Sequence, residues 1–225
     1  MPADQAAGLR RRSGRQAPRC IHGWFDSAES APRLAQALHR CGWTVLLVDS
    51  CGRLFADSPT RSLFDWRQQL ERGQLHRLPL PYGDGWHAPG ARADEPALVR
   101  VAQGYDCAVF DAGPNAASLA RMPGADHAMV VEVNATHESM QRGYALLKTL
   151  SHLQGAMRVG LAGDAAACQR VRAACVQFLD ARFARAIDSA AHEDDAFAAL
   201  AARMTGEETG LTTRYKTGTN PNHGW

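Results

Sequence analysis

The chain of 225 residues is 45% apolar with a formal net charge of +2, so it can bury a sizeable core but carries too little positive charge to require nucleic acid as a partner. No apolar run approaches the roughly 20 residues of a membrane span, and the N-terminus lacks the apolar core of a signal peptide. These features predict a cytoplasmic protein with no membrane partner.

Tails at both ends flank one predicted domain. Residues 1–18 are rich in Ala, Arg, Gly and Pro without periodicity, which is typical of a disordered tail. Residues 205–225 are rich in Gly, Thr and Asn and are predicted to be a flexible tail. A single α/β domain is therefore predicted over residues 19–204.

Short apolar runs alternate with helical patterns along this domain. The predicted strands are residues 19–24, 45–48, 75–80, 106–111, 127–133, 157–162 and 184–188. The predicted helices are residues 31–40, 62–70, 94–101, 137–150, 165–183 and 194–204. Glycines predict a loop at residues 81–87. The alternation indicates a doubly wound, mostly parallel sheet flanked by helices, whose ligands bind outside the carboxyl ends of the strands.

Cysteines and histidines show no metal-binding spacing along the chain. The six cysteines occur singly, without a C-x-x-C pair, and the nine histidines are scattered. Several cysteines fall in predicted strands and helices, as buried free thiols of a reducing compartment do. The pattern predicts neither a zinc site nor a cysteine enzyme.

Four segments carry a family resemblance. They are the strand–loop–helix at 20–40, VLLVDS at 45–50, YDCAVFDAGP at 105–114, and the strand and helix at 125–150. In this order they resemble the MinD/ParA superfamily of deviant-Walker P-loop ATPases, and SMQRGYALLK at 139–148 is most similar to the flagellar-number regulators within it. The resemblance covers roughly residues 19–180 and implies a P-loop NTPase-like fold, in which residues 78–86 fit the family's strand before its lid-side loop.

Two aspartates and a proline match family positions at strand ends. Asp49 matches the aspartate that helps to position water and metal, and Asp111 matches the Walker B aspartate that holds Mg²⁺ through water. Pro114 falls at the proline after the second of these strands. The resemblance implies that any magnesium would bind at Asp49 and Asp111. The alternative is that each aspartate caps the turn after its strand.

The loop after the first strand departs from the family's phosphate loop. The resemblance places His22 at the signature lysine, Asp26 at a glycine, Ser27 at the P-loop lysine, and Ala28 and Glu29 at the hydroxyl pair. Gly23 is the one glycine left in the loop, and no lysine precedes Lys148. The sequence therefore predicts a degenerate phosphate loop.

The negative charges of Asp26 and Glu29 would repel a phosphate at the start of the following helix. These two carboxylates are predicted to cap that helix where a phosphate would otherwise bind. At about 4 Å and an effective dielectric constant of about 20, each carboxylate–phosphate pair costs about 4 kcal/mol. Arg33 and Arg53 are the nearest alternative cations. A guanidinium, however, fits poorly in a lysine's buried slot.

Together these features predict a MinD/ParA-like pseudo-ATPase with no catalytic residue and no resident cofactor. Its predicted role is a regulatory or positioning scaffold for a protein partner in flagellar, pilus, secretion, polysaccharide or partition machinery, with a homodimer as an option. Trp24, Phe25, Trp86 and Tyr144 are the predicted contacts. Trp24 and Phe25 could instead fill the vacated pocket, and Trp86 could pack in its own domain.

Two alternatives to the scaffold stay open. The first is a residual Mg-ATP-binding protein with slow ATPase activity. The second is a partition-type DNA-binding factor that uses surface arginines, although the near-neutral charge disfavours it.

Overall fold

The computed structural model describes residues 18–55, 78–87, 90–113, 120–152, 157–190 and 195–206. The strands are β1 (Arg19–Trp24), β2 (Val45–Asp49), β3 (Leu78–Leu80), β4 (Gly83–His87), β5 (Cys107–Asp111), β6 (Asp126–Val133), β7 (Arg158–Gly163) and β8 (Ile187–Ser189). The helices are α1 (Ser30–Arg40), α2 (Pro96–Ala102), α3 (His137–Ser151), α4 (Ala165–Phe178), α5 (Ala181–Arg185) and α6 (Ala196–Thr205). The helix predicted at 62–70, Pro114 and nearly all of both predicted tails lie outside the described residues.

One sheet joins the eight strands of the described part of the chain, in the order β3-β4-β2-β5-β1-β6-β7-β8. β3 runs antiparallel to β4, and every other neighbouring pair is parallel. Every residue of β2 and β5 is buried, as in a parallel sheet with covered faces. The prediction of a doubly wound, mostly parallel α/β fold is confirmed.

Helices lie on both faces of the sheet. On one face, α1 and α6 pack together over a core that includes Ile21 and Leu34. On the other face, α2 packs over β2 and β5, and α3 and α4 pack over β6 and β7. β1 supplies both faces, because the side chains of Cys20 and Ile21 alternate across it. Among the described helices, none has the length and apolar character needed to cross a bilayer.

The prediction of a loop at residues 81–87 is wrong, because β4 occupies most of that segment. β4 pairs in parallel with β2 and forms a hairpin with β3. Gly83 has a φ of +147°, and a Cβ there would lie 2.0 Å from the carbonyl oxygen of Val45. A Cβ on Gly85 would lie 2.7 Å from the ring of Phe55. These glycines therefore permit close approach inside the sheet instead of marking a loop.

The single long helix predicted at residues 165–183 is also wrong. α4 ends at Phe178, where Leu179 takes extended backbone angles (φ −111°, ψ 169°). Asp180 then begins α5, because its side chain accepts the backbone N–H groups of Arg182 and Phe183 at 2.9 and 3.2 Å. The helical spacing of the apolar residues concealed this break.

Candidate functional site

The carboxyl ends of β1, β2 and β5 meet at one edge of the sheet. Asp49 lies in register with Asp111, and Asp111 lies in register with Gly23. Both aspartates are fully buried. The two carboxylates that the sequence placed at strand ends are thus on directly neighbouring strands.

The carboxylate of Asp49 organises the loop that follows β2. Oδ1 accepts the backbone N–H groups of residues 51, 52 and 53 at 3.2, 2.7 and 3.2 Å. Oδ2 accepts those of residues 54 and 55 at 3.0 Å each, and His87 Nδ1 lies 3.2 Å away. Because five N–H groups and an imidazole surround it, this carboxylate caps the turn after its strand.

Asp111 forms a bidentate ion pair with Arg53. Arg53 Nε donates to Oδ2 at 2.6 Å, and Nη2 donates to Oδ1 at 2.5 Å. The guanidinium is 22% exposed and the carboxylate is fully buried. The hydrogen bond to Asp111 raises the pKa of Arg53 above its usual value. Arg53 Nη1 also reaches the carbonyl oxygen of Asp26 at 3.5 Å, so this guanidinium links the β2 loop to β5 and to the β1 loop.

The magnesium ion that the family resemblance implies does not fit this arrangement of side chains. Mg²⁺ binds carboxylate oxygens that are free to coordinate it. The oxygens of Asp49 are taken by loop N–H groups, and those of Asp111 face the positive charge of Arg53. A cation between the two carboxylates would have to displace that guanidinium.

Glu132 on β6 binds the N–H groups of the β1 loop. Its Oε2 accepts the backbone N–H groups of Asp26 and Ser27 at 2.9 and 3.1 Å. Its Oε1 accepts the hydroxyl of Ser30, the first residue of α1, at 2.9 Å. Free N–H groups at the start of a helix favour an anion. Here the anion is a carboxylate from the neighbouring strand.

Asp26 and Glu29 do not cap α1 with their side chains, contrary to the prediction. The Asp26 carboxylate turns towards the start of α3, where Oδ1 accepts a hydrogen bond from Arg142 at 2.7 Å. Its Oδ2 accepts hydrogen bonds from Asn134 at 2.7 Å and from the Ser139 hydroxyl at 2.8 Å. Glu29 is exposed, has helical backbone angles and forms no side-chain cap hydrogen bond.

Sequence reasoning missed Glu132 and left the choice of arginine open. Arg33 lies over the ring of Phe197, 5.0 Å from its centroid, whereas Arg53 binds Asp111. The capping prediction considered only carboxylates inside the loop. One signal was available, because Glu132 interrupts the apolar run of β6, and a charged residue in a covered strand needs a specific partner.

Three of the four predicted partner contacts are buried within the chain itself. Trp24 and Trp86 are each 3% exposed, and Phe25 is fully buried. The ring of Phe25 packs on Gly23, where a Cβ would lie 1.9 Å from it. As interface residues these three predictions are wrong, because their side chains belong to the core. Tyr144 on α3 is half-buried, and its role in a contact stays a prediction.

A second polar cluster lies beside the first, on the face of β1 opposite Phe25. His22 Nε2 lies 3.3 Å from Cys20 Sγ and 3.2 Å from His127 Nδ1. Burial lowers the pKa of His22 to about 3 and also lowers that of His127, and it raises the pKa of Cys20 to about 12. Spacing along the chain does not reveal this grouping, because His127 arrives from the neighbouring strand.

No protein-family model matches the sequence, and no curated protein is significantly similar to it. Solved structures do match. The MinD cell division protein of Aquifex aeolicus is 14% identical with a TM-score of 0.52, over 84% of this chain and 98% of that chain. Protein DIP2308 from Corynebacterium diphtheriae is 11% identical with a TM-score of 0.52, over 84% and 99% of the two chains. The pNOB8 ParA bound to nonspecific DNA is 12% identical with a TM-score of 0.50, over 76% and 77%.

At these identities the likeness concerns the fold alone. The chain has a P-loop NTPase-like α/β fold of the ParA and MinD type. The degenerate phosphate loop and the resemblance to flagellar-number regulators stay predictions.

Proposed function

We propose that this chain is a MinD/ParA-like pseudo-ATPase, a non-catalytic scaffold that regulates or positions a cellular assembly by binding a protein partner. One observation carries the proposal. The charged groups at the strand ends, where a nucleotide and its metal would bind, are engaged with one another. Arg53 holds Asp111, and Glu132 holds the N–H groups of the β1 loop.

Phosphoryl transfer depends on cations and N–H groups positioned around the phosphates. The P-loop lysine position is held by Ser27, and no lysine precedes Lys148. Arg53 is a cation at the strand ends in the described part of the chain, and its charge is paired with that of Asp111 through two hydrogen bonds. These features support the absence of phosphoryl-transfer chemistry.

Entry of a triphosphate into the β1 loop would also carry an energetic penalty. It would displace the Glu132 carboxylate from the N–H groups of Asp26 and Ser27. The displaced carboxylate and the phosphate would then repel each other at short range, by about 4 kcal/mol at 4 Å and an effective dielectric constant of about 20. A nucleotide must recover this energy elsewhere to bind.

The proposed partner is a protein, and the exposed end of α4 is the surface that we assign to it. Val176 and Phe178 are 62% and 66% exposed, and they are the large apolar side chains most exposed among the described residues. Aromatic side chains, phenylalanine among them, are enriched at protein interfaces. This surface replaces Trp24, Phe25 and Trp86 as the candidate contact.

Nucleotide titration tests the non-catalytic part of the proposal. Full-length protein is titrated with ATP and with ADP up to millimolar concentration, with and without Mg²⁺, and phosphate release is measured in parallel. We expect neither saturable binding nor release above background.

The control variants are Asp111→Ala and Asp94→Ala. Asp94 also forms a bidentate pair, with Arg92, but on the surface. Saturable, Mg²⁺-dependent binding that is lost in Asp111→Ala and kept in Asp94→Ala would overturn the proposal. Circular dichroism of both variants confirms that they are folded.

Co-purification from the source cells tests the partner. Proteins recovered with the wild type are compared with those recovered with Phe178→Ser and with Gln177→Ser, an exposed neighbour of Phe178. We expect Phe178→Ser to lose a specific protein that Gln177→Ser retains. Identical recovery with all three would exclude the α4 surface.

A further inference from the structure

We propose that Cys20, His22 and His127 form a binding site for a divalent metal ion of the zinc class. These side chains lie on the face of β1 that carries α2 and α3, whereas Phe25 and α1 pack on the other face.

The sheet register brings the three ligand atoms together. Cys20 and His22 are two residues apart on β1, so their side chains point to the same face. His127 on β6 is the register partner of Cys20. As a result, the Cys20 Sγ, His22 Nε2 and His127 Nδ1 atoms lie within 4.8 Å of one another.

Two of the three separations between ligand atoms are close to the edges of a tetrahedral zinc site. With Zn–N bonds of about 2.05 Å and Zn–S bonds of about 2.3 Å, tetrahedral geometry places two nitrogens about 3.3 Å apart and a nitrogen and sulfur about 3.6 Å apart. His22 Nε2 lies 3.2 Å from His127 Nδ1 and 3.3 Å from Cys20 Sγ. Small side-chain movements would therefore be enough to admit the ion.

The other ring nitrogen of His127 orients it as a metal ligand. His127 Nε2 lies 3.1 Å from the carbonyl oxygen of Met122. A carbonyl oxygen can only accept, so Nε2 carries the proton and Nδ1 presents a lone pair towards His22. A histidine that donates its second N–H to a backbone carbonyl is the usual support of a metal-bound imidazole.

The Cys20 thiol and a neighbouring cavity would both contribute to binding an ion. Binding would displace the proton of the Cys20 thiol to solvent, and the thiolate would offset one of the two positive charges of the metal. A cavity of about 220 Å³ borders His22 and Phe110 and extends to Ser50. Of the three ligands, His22 lines this cavity. An ion would therefore reach the site past His22, and a water from the cavity would be its fourth ligand, which a site with three protein ligands leaves open.

Cobalt substitution tests this proposal. Full-length protein stripped of metal with a chelator is titrated with Co²⁺, whose tetrahedral complexes have intense visible bands and whose bond to thiolate gives a near-ultraviolet charge-transfer band. We expect both sets of bands to saturate at one equivalent, and we expect Zn²⁺ to abolish them by displacement.

Three variants locate the site. Cys20→Ser should lose the charge-transfer band, and Cys175→Ser, which removes another buried thiol on α4, should keep it. His127→Gln alters a half-buried side chain, is expected to fold, and should bind Co²⁺ at least tenfold more weakly. The proposal is overturned if folded wild-type protein gives no tetrahedral spectrum, or if the spectrum of Cys20→Ser or of His127→Gln equals that of the wild type.

Discussion

Arg53 donates hydrogen bonds to both carboxylate oxygens of Asp111, at 2.6 and 2.5 Å. The family resemblance places a metal-binding aspartate at this position. A buried carboxylate needs a compensating charge. Here Arg53 of the same chain supplies that charge. The pair therefore gives a physical reason for the stability of this edge of the sheet, and it supports the proposed absence of catalysis there.

Replacing Arg53 by Met should destabilise the protein. The substitution leaves the carboxylate of Asp111 buried without its counter-charge, and we expect the free energy of unfolding to fall by about 3 kcal/mol. Urea denaturation followed by circular dichroism measures it. The double variant Arg53→Met/Asp111→Asn should lose less than the sum of its single variants, because the uncompensated charge is gone.

Arg92→Met is the matched control for this experiment. Arg92 pairs with Asp94 through the same two-bond geometry, but its side chain is 66% exposed. We expect no measurable change in stability there. Strictly additive effects of the Arg53 and Asp111 substitutions would show that the pair has no coupling.

Asp49→Asn should loosen the loop after β2. The amide oxygen can still accept the N–H groups of residues 51–53, but the amide NH₂ would face the N–H groups of residues 54 and 55. Two partly buried donors without partners cost about 3 kcal/mol together. Hydrogen exchange should show faster exchange at residues 51–55.

The control for Asp49 is Asp164→Asn. Asp164 caps α4 by accepting a single backbone N–H, from Ala167, and asparagine caps equally well. Its free energy of unfolding should not change. If Asp49→Asn were equally neutral, the carboxylate would not be organising the loop.

The sequence predicted the sheet well because its strands are locally recognisable. Continuous apolar runs at β2 and β5 ended in Asp49 and Asp111, and the fold made these aspartates neighbours. The contacts that complete the site were not predictable in the same way. Arg53 reaches Asp111 from a loop, and Glu132 reaches the β1 loop from a neighbouring strand. These contacts depend on tertiary structure and leave no local pattern in the sequence.

The residue pattern predicted a loop in place of β4 for a related reason. Its two glycines have the local signature of a loop, and only the closeness of β2 shows that they are needed inside the sheet. The break between α4 and α5 left a readable signal, since Asp180 is a strong N-cap residue. The prediction of one helix over residues 165–183 followed the apolar periodicity across the break instead of this capping signal.

Gly83→Ala tests the close packing of β4 on β2. The new Cβ would meet the carbonyl oxygen of Val45 at 2.0 Å in a backbone conformation (φ +147°) that side chains rarely adopt. We expect a loss of at least about 3 kcal/mol of unfolding free energy, since backbone clash and strain add. Thermal denaturation measures it.

Gly124→Ala separates strain from clash. Gly124 also has a positive φ, of +72°, but a Cβ there meets nothing within 4 Å. It should cost only about 1 kcal/mol, the price of the left-handed conformation. Equal losses in the two variants would mean that β4 does not pack against β2 as described.

The buried thiols should make the protein sensitive to alkali. Burial raises the pKa of Cys168 to about 12 and that of Cys175 to about 11, against an ordinary value of about 8.5. Their stabilising contribution is complete below the unfolded pKa. It is lost as pH rises towards the folded pKa, because only the unfolded chain releases the protons.

We therefore expect the urea midpoint to fall steadily from about pH 8 to about pH 10.5 under reducing conditions. Cys175→Ala should have a shallower pH slope than the wild type, since one ionising thiol is removed. Equal slopes in the two proteins would contradict the assignment.

Glu132→Ala should convert the β1 loop into an anion site. The substitution leaves the N–H groups of Asp26 and Ser27 and the hydroxyl of Ser30 without their acceptor, and we expect a loss of about 2 kcal/mol. Sulfate has the oxygens to accept these donors at a helix N-terminus. Sodium sulfate should therefore raise the thermal midpoint of the variant more than that of the wild type, measured against sodium chloride at equal ionic strength.

Glu138→Ala controls for the loss of a negative charge near the loop. Glu138 pairs with Arg142 at the surface and accepts no N–H group of the β1 loop in the described structure. Its sulfate response should equal that of the wild type. If Glu132→Ala also responds like the wild type, the loop N–H groups do not form an anion cradle, and Glu132 is only a structural acceptor. A larger response confined to Glu132→Ala would support Glu132 as the carboxylate that took the place of phosphate.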